Sequence, residues 1–68
     1  MRKIVDCRNR CVCYVDDTTG RVEQKYKDIA IVAIVSVGDR FIVIRDSIKT
    51  ILFRADDNHF CVDSYKVA

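Results

Sequence analysis

The segment from Ile29 to Val37 is apolar at both sets of alternating positions and consists mainly of β-branched residues. This pattern predicts a β-strand that is covered on both faces. One face of an antiparallel sheet is usually exposed to water, so such a strand needs a second layer from the same chain or from a second copy. A chain of 68 residues has little material for that layer. We therefore expect the protein to self-associate.

Turn residues divide the second half of the chain into four predicted antiparallel strands, between about residues 29 and 64. Gly38 and Asp39 are predicted to form one two-residue hairpin loop, and Asp46 and Ser47 the next. A longer turn is predicted at residues 55–58, where Asp and Asn side chains can bond their own backbone. Four strands joined in this way form a meander.

Counting outward from these turns predicts the register. Val35 is expected opposite Ile42, and Phe60 opposite Phe53. One face then becomes almost purely apolar and is the predicted core: Ile31, Ala33, Val35, Ile42, Ile44, Ile51, Phe53, Phe60 and Val62. The other face is mixed, and its apolar members are the predicted oligomer interface: Val32, Ile34, Phe41, Val43 and Leu52.

The first half of the chain predicts a further hairpin. Arg10 to Val15 and Arg21 to Tyr26 form its strands, and residues 16–20 close it. The inward-facing parity changes before Ile29, so a bulge or bend is expected near Lys27 and Asp28. Ile4 to Cys7 is predicted as an additional edge strand.

Composition supports the same fold class. Isoleucine and valine together number eighteen against a single leucine, and β-branched residues favour sheets. The prediction is a single domain, residues 1–68. It is all-β, a small antiparallel barrel or curled sheet of six to seven strands with meander topology.

Charge and targeting signals narrow the function classes only slightly. The net charge of +2 does not require a polyanionic partner. Only Ile4 and Val5 follow the basic residues near Met1 as an apolar stretch, so no signal peptide is expected. No segment approaches about 18 apolar residues, so no membrane span is expected. We expect a cytoplasmic protein with reduced cysteines.

Four side chains are candidate metal ligands, because residues two apart on a strand point the same way: Cys11, Cys13, His59 and Cys61. They would supply a tetrahedral zinc site, although the spacing is unlike that of zinc knuckles. The alternative is that the cysteines are small apolar residues. A disulfide from Cys7 or Cys11 to Cys61 is a weaker alternative without a secretory signal.

Catalytic chemistry has little support. His59 lies near several aspartates, but no nucleophile on a strained turn accompanies it, and turn formation explains the aspartate pairs. We therefore expect a non-enzyme. The densest basic group, together with two nearby tyrosines, is the candidate ligand-binding set: Arg2, Lys3, Arg8, Arg10, Tyr14 and Tyr26. The competing interpretation is that these charges protect an edge strand from aggregation.

Two functions are compatible with these observations. The first is a self-associating β-protein that binds or sequesters a protein or a small anionic ligand in clefts between copies. Compact, proline-free chains of this length are common among phage and mobile-element products, so an inhibitor of a host factor belongs to this class. The second is an RNA- or DNA-binding small barrel, by fold-level analogy with Sm-like, SH3-like and OB proteins. A zinc-stabilised interaction domain is compatible with either.

Overall fold

The computed structural model describes residues 1–67, and every regular element in this range is a β-strand. Seven strands are present, at the upper end of the predicted number. Their bounds are β1 (Arg2–Val5), β2 (Cys11–Asp16), β3 (Arg21–Tyr26), β4 (Ile29–Ile34), β5 (Arg40–Arg45), β6 (Ile48–Asp56) and β7 (His59–Lys66).

The strands form two antiparallel sheets. The first has the order β1-β2-β3-β4, and the second has the order β5-β6-β7. Within each sheet, every strand pairs with its neighbour in sequence, so each sheet is a meander. β4 and β5 belong to different sheets, and no closed barrel forms within residues 1–67. The all-β prediction is confirmed, whereas a continuous meander from residue 29 to 64 is wrong at the step between β4 and β5.

The predicted hairpin at Gly38 and Asp39 is replaced by a connection between the two sheets. Gly38 adopts a φ of 89° and donates its amide to the carbonyl of Arg54, at 2.7 Å. The amide of Arg54 in turn donates to the carbonyl of Asp39. The start of β5 is therefore attached to β6, and no pairing with β4 remains.

The hairpin between β5 and β6 matches its prediction. Asp46 and Ser47 both have positive φ, 53° and 63°, as a two-residue type I′ turn requires. Ile42 lies opposite Ile51 and Phe41 opposite Leu52, which is the register obtained by counting from the turn.

The register between β6 and β7 differs from the prediction by one residue. Phe53 lies opposite Cys61, not Phe60, because the pairing shifts at Ala55. The extra residue acts as a bulge. Since a slip of one residue exchanges the two faces of a strand, Phe60 shares its face with Leu52 and Arg54, and all three are buried.

Two further predictions concern β2, β3 and β4. The hairpin between β2 and β3 forms as expected, and the side chain of Asp16 accepts the amide of Thr18 in its turn. The predicted bulge near Lys27 is instead a tight turn, with Lys27 at a φ of 55° and Tyr26 directly opposite Ile29. The chain therefore reverses there and does not continue as one bent strand.

The core lies between the two sheets and differs from the predicted one. Val35 and Phe60 are buried as predicted, whereas Ile31, Ile42, Ile44 and Val62 are exposed. The buried apolar residues of the core cluster are Ile4, Val12, Cys13, Val15, Val22, Val35, Leu52 and Phe60. Val12 and Cys13 are adjacent in sequence and both buried, because the pairing of β1 with β2 shifts at this point.

Arg54 links the sheets from inside the protein. Its guanidinium is buried and donates to the carbonyl oxygens of Val35 and Thr18, at 3.0 Å each. Gly20 lies against the same group, and a Cβ there would overlap the Val35 carbonyl and the Arg54 guanidinium. This position also has a φ of 81°. Gly20 is therefore required both by its conformation and by the close packing around it.

Candidate functional site

Strand β4 is the most unusual surface of the protomer, because a wholly apolar strand is left uncovered. Its sequence is Ile-Ala-Ile-Val-Ala-Ile. Ile34 is 65% exposed and Val32 is 50% exposed. Ile29 and Ile31 point to the opposite face and are exposed as well. Within residues 1–67, no second layer covers both faces of this apolar strand.

Among the described residues, nothing pairs with one main-chain edge of β4. β4 pairs with β3 on one side, and it is the last strand of its sheet. The pair beside a two-residue turn exchanges both hydrogen bonds, and the pattern then alternates. Tyr26 and Ile29 form that first pair, and the amide of Val35 still bonds Gly20 at the other end. The main-chain groups of Ala30, Val32 and Ile34 are therefore directed away from β3, to the open side that we call the β4 edge.

A groove separates the hairpin of β3 and β4 from strand β5. Its volume is about 250 Å³. Four aliphatic residues, a tyrosine, a glutamine and two cationic residues line it: Val12, Gln24, Lys25, Tyr26, Ile31, Val43, Ile44 and Arg45. Neither Lys25 nor Arg45 belongs to an ion pair among the described residues. The groove is therefore suited to a ligand with an apolar body and a negative charge.

The predicted basic group is divided by ion pairs. Arg2 is bound to Asp17, with a shortest distance of 2.8 Å, and also donates to the carbonyl of Phe60. The Arg2 guanidinium and, to a lesser extent, the Phe60 amide hold the pKa of Asp17 below its usual range. This arginine therefore connects the two sheets.

Arg10 has a similar structural role. Its guanidinium binds Asp6 at 3.2 Å and Asp46 at 2.8 Å. Asp6 also accepts the amides of Arg8 and Arg10, and these bonds, that of Arg10 first, lower the pKa of Asp6. The loop between β1 and β2 is built around this carboxylate, with Asn9 at a φ of 62°.

The remaining members of the candidate ligand set are exposed but dispersed. Lys3 lies directly opposite Tyr14. Tyr14 lies opposite Glu23, and Tyr26, three residues along β3, projects from the other face. Lys27 stacks on the ring of Tyr26, 5.5 Å from its centroid. The structure therefore brings Lys3 and Tyr14 together and separates them from Tyr26.

The predicted zinc ligands are not assembled. Cys11 is exposed and Cys13 is buried, because the shift of pairing at Val12 places them differently. His59 lies 2.9 Å from the carboxylate of Asp56 across a turn. No cluster of metal-binding side chains occurs among residues 1–67, and the cysteines in this range are all free thiols.

Burial also changes the chemistry of one cysteine. Desolvation, with a smaller contribution from Cys11, raises the pKa of Cys13 to about 11. Such a thiol is almost fully protonated at neutral pH and is unreactive. Cys13 is therefore a core residue, in keeping with the alternative interpretation of the cysteines.

The predicted interface set is divided between surface and core. Val32 and Ile34 lie on the exposed strand β4 as surface residues. Leu52 is 0% exposed, and Phe41 and Val43 pack against the core cluster. These three belong to the interior of the protomer. Sequence reasoning placed Gly20 in a turn but missed its packing against Arg54. It missed Arg54 itself, although a charged residue within the apolar segment of β6 is a signal of a buried, hydrogen-bonded group.

Within the described residues, the structure contains no helix of the length and hydrophobicity needed to cross a membrane. No protein-family model matches the chain, and no curated protein or solved structure matches it at a significant level.

Proposed function

We propose that the protein is a non-enzymatic, self-associating β-protein that acts as a binding module. The observation that carries this proposal is the exposed strand β4, which has apolar side chains on both faces and an unpaired main-chain edge. Natural sheets normally protect such an edge with charge, proline, a bulge or a covering segment. β4 has no charged residue and no proline, which favours its use in an interface.

Size-exclusion chromatography with light scattering tests the assembly step. A contact made mainly by one strand is small, so we expect a dimer with a dissociation constant on the order of micromolar. The protein should elute as a dimer at about 100 μM and dissociate on dilution. A protein that stays strictly monomeric at concentrations up to about 100 μM would contradict the proposal.

The binding role is assigned to the groove beside β4. Lys25 and Arg45 provide positive charge at an otherwise apolar wall, and Tyr26 provides an aromatic surface. Native mass spectrometry of protein purified without denaturation would detect a co-purifying small anion. Benzoate and phenyl phosphate are suitable test ligands, and Lys25→Gln or Arg45→Gln should weaken their binding. If both variants bind these ligands as tightly as the original protein does, this assignment is contradicted.

Nucleic-acid binding is a second candidate, favoured by the exposed pair of Lys3 and Tyr14. Phosphate contact and base stacking use these residue types. Such binding should weaken steeply with salt and should be reduced by Arg8→Ala, because Arg8 is exposed. Absence of any mobility shift with mixed oligonucleotides at low salt would exclude this candidate.

A further inference from the structure

We propose that β4 pairs antiparallel with β4 of a second copy about a two-fold axis at Val32, joining two four-stranded sheets into one of eight strands. This inference rests on the proposed self-association and specifies its geometry. A closed dimer uses the same surface twice, and a two-fold axis perpendicular to the sheet makes the two copies of β4 antiparallel.

The main chain limits the possible registers. Hydrogen bonds between the two strands form only between residues that point their amide and carbonyl groups to the β4 edge. Such residues must therefore lie opposite one another. These residues are Ala30, Val32 and Ile34. Pairing Val32 with its own copy places Ala30 opposite Ile34 of the second copy, so all three residues find a partner.

The side chains favour this register over its neighbours. Ala30 then lies opposite Ile34, and Ile31 lies opposite Ala33, so two of the three isoleucines of β4 are matched by an alanine on the same face. Val32 meets Val32 on the axis. Cross-strand pairs of this kind are the units that stabilise a sheet, and a large residue facing a small one allows the strands to pack without overlap.

Moving the two-fold axis by one residue, to Ile31 or to Ala33, loses these matches. One shift places Ile34 opposite Asp28, an acidic residue in the turn before β4. The other places Ala30 opposite Ser36, beyond the end of the strand and close to where the chain leaves for the second sheet. Only the register centred on Val32 pairs all three open-edge residues, Ala30, Val32 and Ile34, with residues of β4 in the second copy.

Charge does not oppose the pairing. The nearest charged side chains on the outer face belong to β3: Arg21, Glu23 and Lys25. Across the proposed interface, Glu23 would be three strand spacings from its own copy, roughly 14 Å. That distance exceeds the Debye length of about 8 Å at physiological ionic strength, so like charges on the two copies are largely screened.

As the interface strand, β4 is favoured over β5, which is the other apolar edge strand. Ile44 on β5 is as exposed as Ile34 on β4, at 65%. However, Arg40 and Arg45 begin and end β5, and flanking charges are a common protection against edge pairing. A second copy would bring these arginines close to each other, whereas β4 presents no charge of its own.

Disulfide trapping tests the register. The starting protein carries Cys7→Ser, Cys11→Ser and Cys61→Ser, which removes the exposed thiols. Cys13 stays in place, because it is buried and its pKa is about 11. Single cysteines are then introduced by Val32→Cys, by Ile34→Cys, or by Ile42→Cys on β5 as the matched exposed control.

We expect Val32→Cys to give a covalent dimer under mild oxidation. Directly opposite residues of a hydrogen-bonded pair have Cα atoms about 5.5 Å apart, within disulfide range. Ile34→Cys should remain uncross-linked, because its copy lies about 14 Å along the strand. Mixing Ala30→Cys with Ile34→Cys should give the mixed dimer, which provides a second measurement if Val32→Cys does not fold.

The outcomes separate the register from self-association itself. A dimer in light scattering without cross-linking at Val32→Cys or in the Ala30→Cys and Ile34→Cys mixture would overturn the register and leave self-association intact. Preferential cross-linking of Ile42→Cys would likewise move the interface to β5. A monomer at about 100 μM would overturn both.

Discussion

The four-stranded sheet ends in two strands, β1 and β4, that expose similar main-chain edges but carry different side chains. β1 has four residues, two of them charged, and the pairing with β2 shifts beside it. Its Arg2 reaches Asp17 and the carbonyl of Phe60. Strand β4 has six residues, all apolar, and no described residue attaches its outer edge in this way.

This difference shows that the features that prevent edge-to-edge pairing are concentrated at β1. Short length, charge and a bulge are the usual means of preventing edge-to-edge pairing, and they occur together at β1. An extended, uncharged edge such as β4 is a template for another strand. The same sheet therefore has one edge suited to solvent and one suited to a partner.

The largest effect is expected at Gly20, which fixes the end of β4 to the turn between β2 and β3. Gly20→Ala places a methyl group against the Val35 carbonyl and the Arg54 guanidinium, at a positive φ. We expect the free energy of unfolding to fall by about 3 kcal/mol or more, measured by urea denaturation. Gly38→Ala is the control, with a positive φ but no neighbour within 4 Å, and should lose only about 1–2 kcal/mol. Equal losses would show that the packing at Gly20 is unimportant.

Val32→Lys gives β4 the charge that β1 already has. At the proposed two-fold axis, two lysines would face each other, and opposed like charges at an interface cost several kcal/mol. The dimer dissociation constant should rise at least about 100-fold, as measured by sedimentation equilibrium. Ile42→Lys, at a comparably exposed position on β5, should leave it unchanged. If both variants dissociate the dimer equally, β4 is not the specific interface.

Arg2→Ala removes the attachment of β1. It breaks the bond to Asp17 and the bond to the Phe60 carbonyl, and partly exposed interactions of this kind contribute about 1 kcal/mol. Urea denaturation of the variant in the monomeric Val32→Lys background measures this loss without a contribution from association. A loss as large as that for Gly20→Ala would contradict the limited role assigned to Arg2.

Acid should remove the same attachment. The folded protein holds the pKa of Asp17 below its ordinary value, so the stabilisation is present above the unfolded pKa of about 3.9 and is lost as pH falls through the lower folded value. The difference in unfolding free energy between the Val32→Lys protein and its Asp17→Asn variant should therefore be constant above about pH 5. It should shrink below about pH 4. A difference that is independent of pH would show that the charge of Asp17 does not matter.

The smallest effect is expected for Lys3→Val. This change makes β1 more apolar, but Arg2 and the bulge opposite β1 remain. The dimer dissociation constant should stay within about twofold of the original, because β1 lies outside the proposed interface. Higher-order association on light scattering would show instead that Lys3 alone protects this edge.

Local turn chemistry made several elements predictable from sequence. The Asp46 and Ser47 turn determined the register of β5 with β6, and the turn after Asp16 joined β2 to β3. Gly38 was misleading, because glycine adopts a positive φ equally well in a hairpin and in a connection between sheets. Lys27 was overlooked as a turn residue, because nonglycine residues are uncommon at positive φ.

The inside and outside of the sheets were harder to predict. One extra residue at Ala55 exchanged the faces of β7 relative to β6, and local pattern does not reveal such a bulge. The identity of the exposed strand was also hidden, because an apolar run has the same composition whether its cover comes from the same chain or from another. The expectation that a chain of 68 residues has little material to cover β4 nevertheless followed from its sequence.

The purely sequential pairing of the strands has a kinetic consequence. Each ladder joins strands that are neighbours in the chain, and the connections are only two to five residues long. Closing such short loops loses little chain entropy, so folding should be fast for an all-β protein. Arg54 makes the long-range bonds to Thr18 and Val35, which can form only after both meanders exist. We therefore expect Arg54→Ala to accelerate unfolding far more than it slows refolding in stopped-flow measurements.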